Sequence, residues 1–256
     1  MAHQITTIAR YTLLEALRTR LPALVLAAIV LLAAAGYFVQ EIAVTESARL
    51  QTGFYAATMR LTAVFMAGLY VLSSVARDFN DKGIDVVLAL DLPRSHYILG
   101  KLAGFLAIGV LLAAAVSLPL TLLATPAAAV QWGTSLALEL AIVVALSLFC
   151  IVTFNQLMPA ASFMLAFYLL ARALTAIRLM SAHPLVDADS LSHQFMGMMV
   201  DGVALVVPAL ETWTRTAWLV NQPAAWTEIG ALAGQSLIYV TLLAAATIFD
   251  FYRKNF

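Results

Sequence analysis

The chain has one cysteine, Cys150, in 256 residues, so no intramolecular disulfide can form. Charge is scarce too: Asp, Glu, Lys and Arg make up 11% of the residues, 14 of each sign, for a formal net charge of zero. A balanced total says nothing about partners, and only the distribution of charge along the chain carries information. No nucleic-acid partner is expected. Catalytic signatures are missing as well. HExxH and GxSxG do not occur, which leaves no zinc protease and no serine hydrolase elbow. Gly100-Lys101 is the only Gly-Lys pair. It is followed by Leu102, with Ser95 where the first Gly of a phosphate-cradling GxxxxGK[ST] loop would stand.

What is abundant is apolar. Hydrophobic residues make up 63% of the chain, the mean hydropathy is +0.93, and the apolar runs are too long for buried strands. This predicts an all-α polytopic membrane protein. Spans and short connections use nearly every residue, so no room is expected for a soluble catalytic domain. The chain is therefore expected to be non-enzymatic and to bind no cofactor, with energy arriving from another chain or an ion gradient.

A span needs ~20 apolar residues, and six segments meet or approach that: Leu21 to Val39, Phe54 to Ala76, about Tyr97 to Leu123, about Gly133 to Phe154, Pro159 to about Met180, and Ile229 to Phe249. The first is too long for a signal-peptide core and reads as a retained span. Pro119, TPAAA and QWG are expected to break the uncharged stretch after Lys101 near Ala124 to Trp132. Cytoplasmic connections collect Lys and Arg. Arg10, Arg18, Arg20, Arg77, Lys82, Arg94, Lys101, Arg253 and Lys254 fall on one side, against Arg49, Arg178 and Arg215 on the other. Both termini and Ala76 to Lys101 are thus expected in the cytoplasm, with the protein in the inner membrane.

Residues 1–20 have two faces at a 3.6-residue period. Ile5, Ile8, Ala9, Leu13, Ala16 and Leu17 lie on one, and Arg10, Tyr11, Glu15 and Arg18 on the other. Either an interfacial helix touching anionic lipid or a plain juxtamembrane anchor fits this pattern. The longest connection, residues 181–228, is expected outside. Its FMGMMVDGVALVVPAL is shorter than a span and suits an interfacial or re-entrant helix. Trp213, Trp218 and Trp226 suit an aromatic belt. His193, Met196, Met198 and Met199 are ligand types for soft cuprous ions, although methionine is also ordinary apolar filler.

Three charges are expected inside spans, where each is costly and tends to be paired or functional. Glu139 should lie ~9 Å inside the fourth helix and Arg172 ~12 Å from the outer end of the fifth, with Arg60 near the same level, at 1.5 Å rise per residue. A Glu139–Arg172 ion pair locking helices together is one reading, and substrate contact is the other.

The densest charge sits in ARDFNDKGIDVVLALDLPRSHYILGK, Ala76 to Lys101, which holds four acids and four bases. Ile84, Val87 and Leu88 recur at i, i+3 and i+4 between Gly83 and Leu92-Pro93-Arg94. A short helix with one apolar face follows, suited to a groove in another protein.

The order of these elements resembles an ABC-2-type transporter permease: a basic amphipathic helix, six spans, a charged amphipathic segment after the second, an external re-entrant segment before the sixth, and a basic tail. GIDVVLALDLPRSHYILGKLAGF resembles that family's Gly, Leu-Leu, Pro-Arg and Tyr-x-x-Gly-Lys run. VVPALETWTRTAWL is similar to a Pro-x-Leu to Trp-Leu stretch in the branch serving nitrous-oxide reductase and multicopper enzyme maturation. Asp91 departs from the apolar residue usual before Leu-Pro.

The resemblance implies a homodimer, or a pair of related half-permeases, bound to cytoplasmic ABC ATPase subunits that hold ATP and Mg. It implies that residues 77–95 dock on the ATPase, through Asp81, Lys82, Gly83, Ile84, Val87, Leu88, Pro93 and Arg94. The expected function is an ATP-driven exporter or flippase subunit. The alternative is a membrane anchor relaying ATPase motion to a periplasmic partner without transport.

Overall fold

Lipid offers no hydrogen bonds, so an apolar run can satisfy its backbone only by closing N–H to C=O within a helix. That is what these runs do. A computed structural model describes residues 2–80, 93–182 and 191–254. The helices are α1 (Ala2–Arg18), α2 (Leu21–Ile42), α3 (Ser47–Asn80), α4 (Arg94–Ser117), α5 (Leu120–Leu123), α6 (Pro126–Phe154), α7 (Leu157–Ala182), α8 (Leu191–Val206), α9 (Ala217–Val220) and α10 (Trp226–Arg253), with a 3-10 turn at Leu210–Thr212. No strand occurs among the described residues. Six helical segments are long and apolar enough to cross a membrane: Leu21–Ile42, Ser47–Asn80, Arg94–Leu123, Pro126–Phe154, Leu157–Met180 and Trp226–Arg253. The chain is an all-α, multi-pass membrane protein.

The six spans are those expected, but their ends differ for local reasons. α3 runs 34 residues, ~51 Å at 1.5 Å per residue, and so outruns a ~30 Å hydrocarbon core. A two-residue turn at 118–119 interrupts the third span, where Pro119 cannot donate a helical hydrogen bond, and the break between the third and fourth spans falls at residues 124–125, at the start of the region expected. α6 begins at Pro126, with Thr125 accepting the Ala128 N–H as a cap and Pro in the first turn, where its missing N–H costs nothing. Gln131-Trp132-Gly133 is therefore helical rather than part of the break. Gly133 serves packing: a Cβ there would sit 2.8 Å from Ser117 Cβ.

The chain divides into two compact units, residues 1–164 with 214–256, and residues 165–213. In the first, α6 is the hub, packing against α3, α4 and α10, and 72% of its most apolar stretch is buried. α2 rests mainly on α3, and only 11% of its most apolar stretch is buried. Leu26, Val30, Leu31 and Phe38 face outward, as expected of a lipid-facing helix. α6 ends at Asn155, whose left-handed φ of 58° turns the chain while its N–H still bonds Ile151 O. Asn is among the few residues that adopt this conformation readily.

The second unit holds the latter part of α7, α8 and the 3-10 turn. Arg172 Nη1 donates to Leu210 O at 2.9 Å, and Arg178 meets Asp201 at 3.5 Å on an exposed surface. α8 has 16 residues, ~24 Å at helical rise, so it is too short to span. The expected outward belt is corrected at two positions, because Trp213 and Trp218 are buried and only Trp226 is exposed. Large aromatics fill core volume wherever neighbouring elements surround them.

Candidate functional site

Polar side chains gather at two places in the first unit, and a groove opens beside the second of them. The first cluster surrounds Thr214, which holds a left-handed φ of 47° and is fully buried, as are Ser135 and Glu139 on α6. The Thr214 N–H donates to Ser135 Oγ at 2.9 Å, and its hydroxyl donates to Glu139 Oε2 at 2.5 Å. Arg60 Nη1, from α3, donates to the Thr214 carbonyl at 3.1 Å. One strained residue is thus fixed through its amide, carbonyl and hydroxyl at once. A buried backbone without helical partners needs such contacts, and a β-branched residue in this conformation persists only when its surroundings over-determine it. Arg60 and Glu139 therefore meet on a loop, and Arg172 makes its bond to Leu210 O in the second unit.

The second cluster lies where α3 ends and α4 begins. Lys101 is buried, its ammonium 2.7 Å from Asp78 Oδ2 and 3.9 Å from Glu15 Oε2. Tyr97 donates to the same Asp78 oxygen at 2.7 Å, and Arg77 pairs with Glu15 Oε1 at 3.1 Å. Lys101 also stands 5.8 Å from the Phe105 ring centroid. Gln4 meets His96 at 2.9 Å. A buried ammonium is tolerated only with such partners.

Arg94, at the start of α4, donates from Nη1 to Phe251 O at 3.2 Å and Lys254 O at 2.8 Å. These carbonyls belong to the C-terminal end of α10, where a helix leaves acceptors and partial negative charge. Thr153 donates to Asp250 at 2.6 Å, and Lys254 Nζ donates to Asn155 Oδ1. Burial lowers the pKa of Lys254 from the ordinary lysine value, and nearby Asp250 opposes the shift. Ends of α1, α3, α4, α6 and α10 are thus joined in one polar frame.

α1 completes that frame by close contact. A Cβ on Gly100 would fall 2.7 Å from Ile8 Cβ, and one on Gly104 would fall 2.7 Å from Thr12 Cβ and 2.9 Å from Ala9 O. Glycines four apart let two helix backbones approach as no other residue does. The apolar side of α1 therefore packs on α4 in part, with Ala16 and Thr12 buried.

The groove runs between the α1–α2 junction, α3 and the α6–α7 turn, with a volume of about 1260 Å³. Its polar mouth carries Arg20, Arg77, Asn80, Asn155 and Gln156, and its wall carries Leu24, Leu61, Phe65, Met66 and Leu69.

Of the docking residues expected from the sequence, Asp81, Lys82, Gly83, Ile84, Val87 and Leu88 lie outside the described residues. Pro93 caps α4 and Arg94 is its first residue, so both flanks of that segment are anchored in the polar frame. Of the soft-metal candidates, Met198 and Met199 are exposed on α8, and the side chains of His193 and Met196 lie outside those described. Among the described residues, no group of three or more His, Cys, Asp or Glu side chains could hold a metal ion.

Sequence reasoning missed the roles of Glu15, Asp78, Tyr97 and Lys101, the two glycines and Thr214. Gly100-x-x-x-Gly104 was legible as a helix-packing motif, as was the run of ionisable residues framing residues 77–101. Nothing local in ETWTRT marks Thr214. No protein-family model and no curated protein matches the chain.

Proposed function

We propose that the chain is the membrane-spanning permease subunit of an ATP-driven ABC exporter or flippase, acting as a dimer with cytoplasmic ATPase subunits that carry ATP and Mg. Residues 77–95 dock on the ATPase, and both termini lie on the same cytoplasmic side. α8 is the external, re-entrant or interfacial element before the last span.

The observation that supports this most is the polar frame. Asn80 and Pro93, the described residues that flank the docking segment, stand at the place where ion pairs and carbonyl contacts bind the ends of α1, α3, α4, α6 and α10. A push on that segment would be felt by all five helices, as a transmission point requires.

Replacing Val87 and Leu88 together by Glu tests the reading. The variant should insert into membranes at normal level and lose its ATPase partner on purification from native membranes. Retention of an ATP-hydrolysing partner by V87E/L88E would sink the docking assignment.

A further inference from the structure

The groove beside α3 has a chemistry that the ATPase reading does not use. At about 1260 Å³ it exceeds the ~300–1,000 Å³ of pockets for drug-sized ligands. Its lining is divided by depth. At the mouth stand two guanidiniums, Arg20 and Arg77, among hydroxyl and amide side chains, and no carboxylate lines it among the described residues. Arg77 is shared with Glu15 at 3.1 Å, whereas Arg20 has no acidic partner among the described residues. Below the mouth, Leu61, Phe65 and Leu69 continue the wall along one face of α3. Leu61 and Arg77 are 16 residues apart, ~24 Å at helical rise, and one leaflet of a ~30 Å hydrocarbon core is about half its thickness. The wall thus accommodates an acyl chain along its full length from a headgroup held at the arginines.

We propose that this groove is a binding site for one anionic glycerophospholipid, its phosphate on Arg20 and Arg77 and an acyl chain along Leu61, Phe65 and Leu69. Arginine suits this contact because its planar fork of N–H donors matches phosphate oxygens. The site would be occupied whether or not an ATPase is attached, so it stands or falls separately from the reading above.

Native mass spectrometry of the full chain in detergent, with equimolar dioleoyl phosphatidylglycerol and phosphatidylcholine, tests it. The unaltered chain should carry the anionic lipid over the zwitterionic one by roughly tenfold, given the attraction of each basic residue to anionic headgroups. R20Q/R77Q should bring the ratio to about one, while R20K/R77K and the distant R49Q should keep a clear preference, which separates headgroup recognition from misfolding. L69W should reduce the binding of both lipids by filling the wall. A ratio near one in the unaltered chain, an unchanged ratio in R20Q/R77Q, or undiminished lipid in L69W would overturn the proposal. So would a high-yield disulfide between copies of an L69C variant in membranes, which would place a second copy of the chain in the groove.

Discussion

The two polar clusters of the first unit use similar side chains for opposite ends. Around Thr214, an acid, a hydroxyl and an arginine converge on one backbone residue from two helices, and three of the four residues are fully buried. At the α3–α4 end, the charges are spread over several helices, and Arg77 remains exposed while Glu15 is half-buried. A compact cluster in a low-dielectric interior resists rearrangement, because leaving any member unpaired is expensive. A spread, partly hydrated frame joins helices while allowing partners to exchange. The first is suited to hold a loop still, and the second to pass on movement.

The largest effect should come from breaking the compact cluster. Glu139→Ala removes the acceptor for the Thr214 hydroxyl and should lower stability by ~3 kcal/mol, in the range for an unsatisfied buried group plus a lost hydrogen bond to a charge. Unfolding in mixed micelles would measure it, with new protease sensitivity near Thr214. A variant as stable as the parent would remove the distinction between the clusters.

Next comes the contact that ties α1 to the frame. Gly104→Val places a branched side chain where even a Cβ would sit 2.9 Å from the Ala9 carbonyl, and should cost ~2 kcal/mol as an overpacked contact. A cysteine introduced at buried Thr12 should become reactive to a polar maleimide in that background and stay protected otherwise.

The smallest effect belongs to the frame's own charges. A double-mutant cycle on Asp78 and Lys101 should give a coupling of ~1 kcal/mol, while the exposed Arg49–Glu46 pair should give under ~0.5 kcal/mol. Coupling at Asp78–Lys101 no greater than at Arg49–Glu46 would reduce the frame to surface decoration.

The difference between the clusters also explains what the sequence could disclose. The spans were legible because lipid imposes a length and an apolarity on each helix, and both are local properties. Glu139 and Arg60 stood out as charges inside those spans for the same reason. Their meeting place was not legible, since Thr214 is 75 residues from Glu139 and 154 from Arg60, and its conformation is set by the contacts themselves. The start of the break at Ala124 is legible from Pro and Thr, but its length is not: QWG reads as a turn, whereas the Thr125 cap and Pro126 already start the next helix. In the frame, Lys101 was visible as a charge on the cytoplasmic tally, but its burial depends on α1 folding back along Gly100 and Gly104. Only a pairing of two distant helices reveals that.

The central claim is that residues 77–95 are where an ATPase engages this chain. A photo-crosslinking amino acid placed at position 87 and, as a comparison, at outward-facing Val30 on α2 tests it most directly in intact membranes. The account predicts that position 87 captures a P-loop ATPase chain and position 30 does not. Capture at position 87 of lipid alone, or only of another copy of this chain, would contradict it.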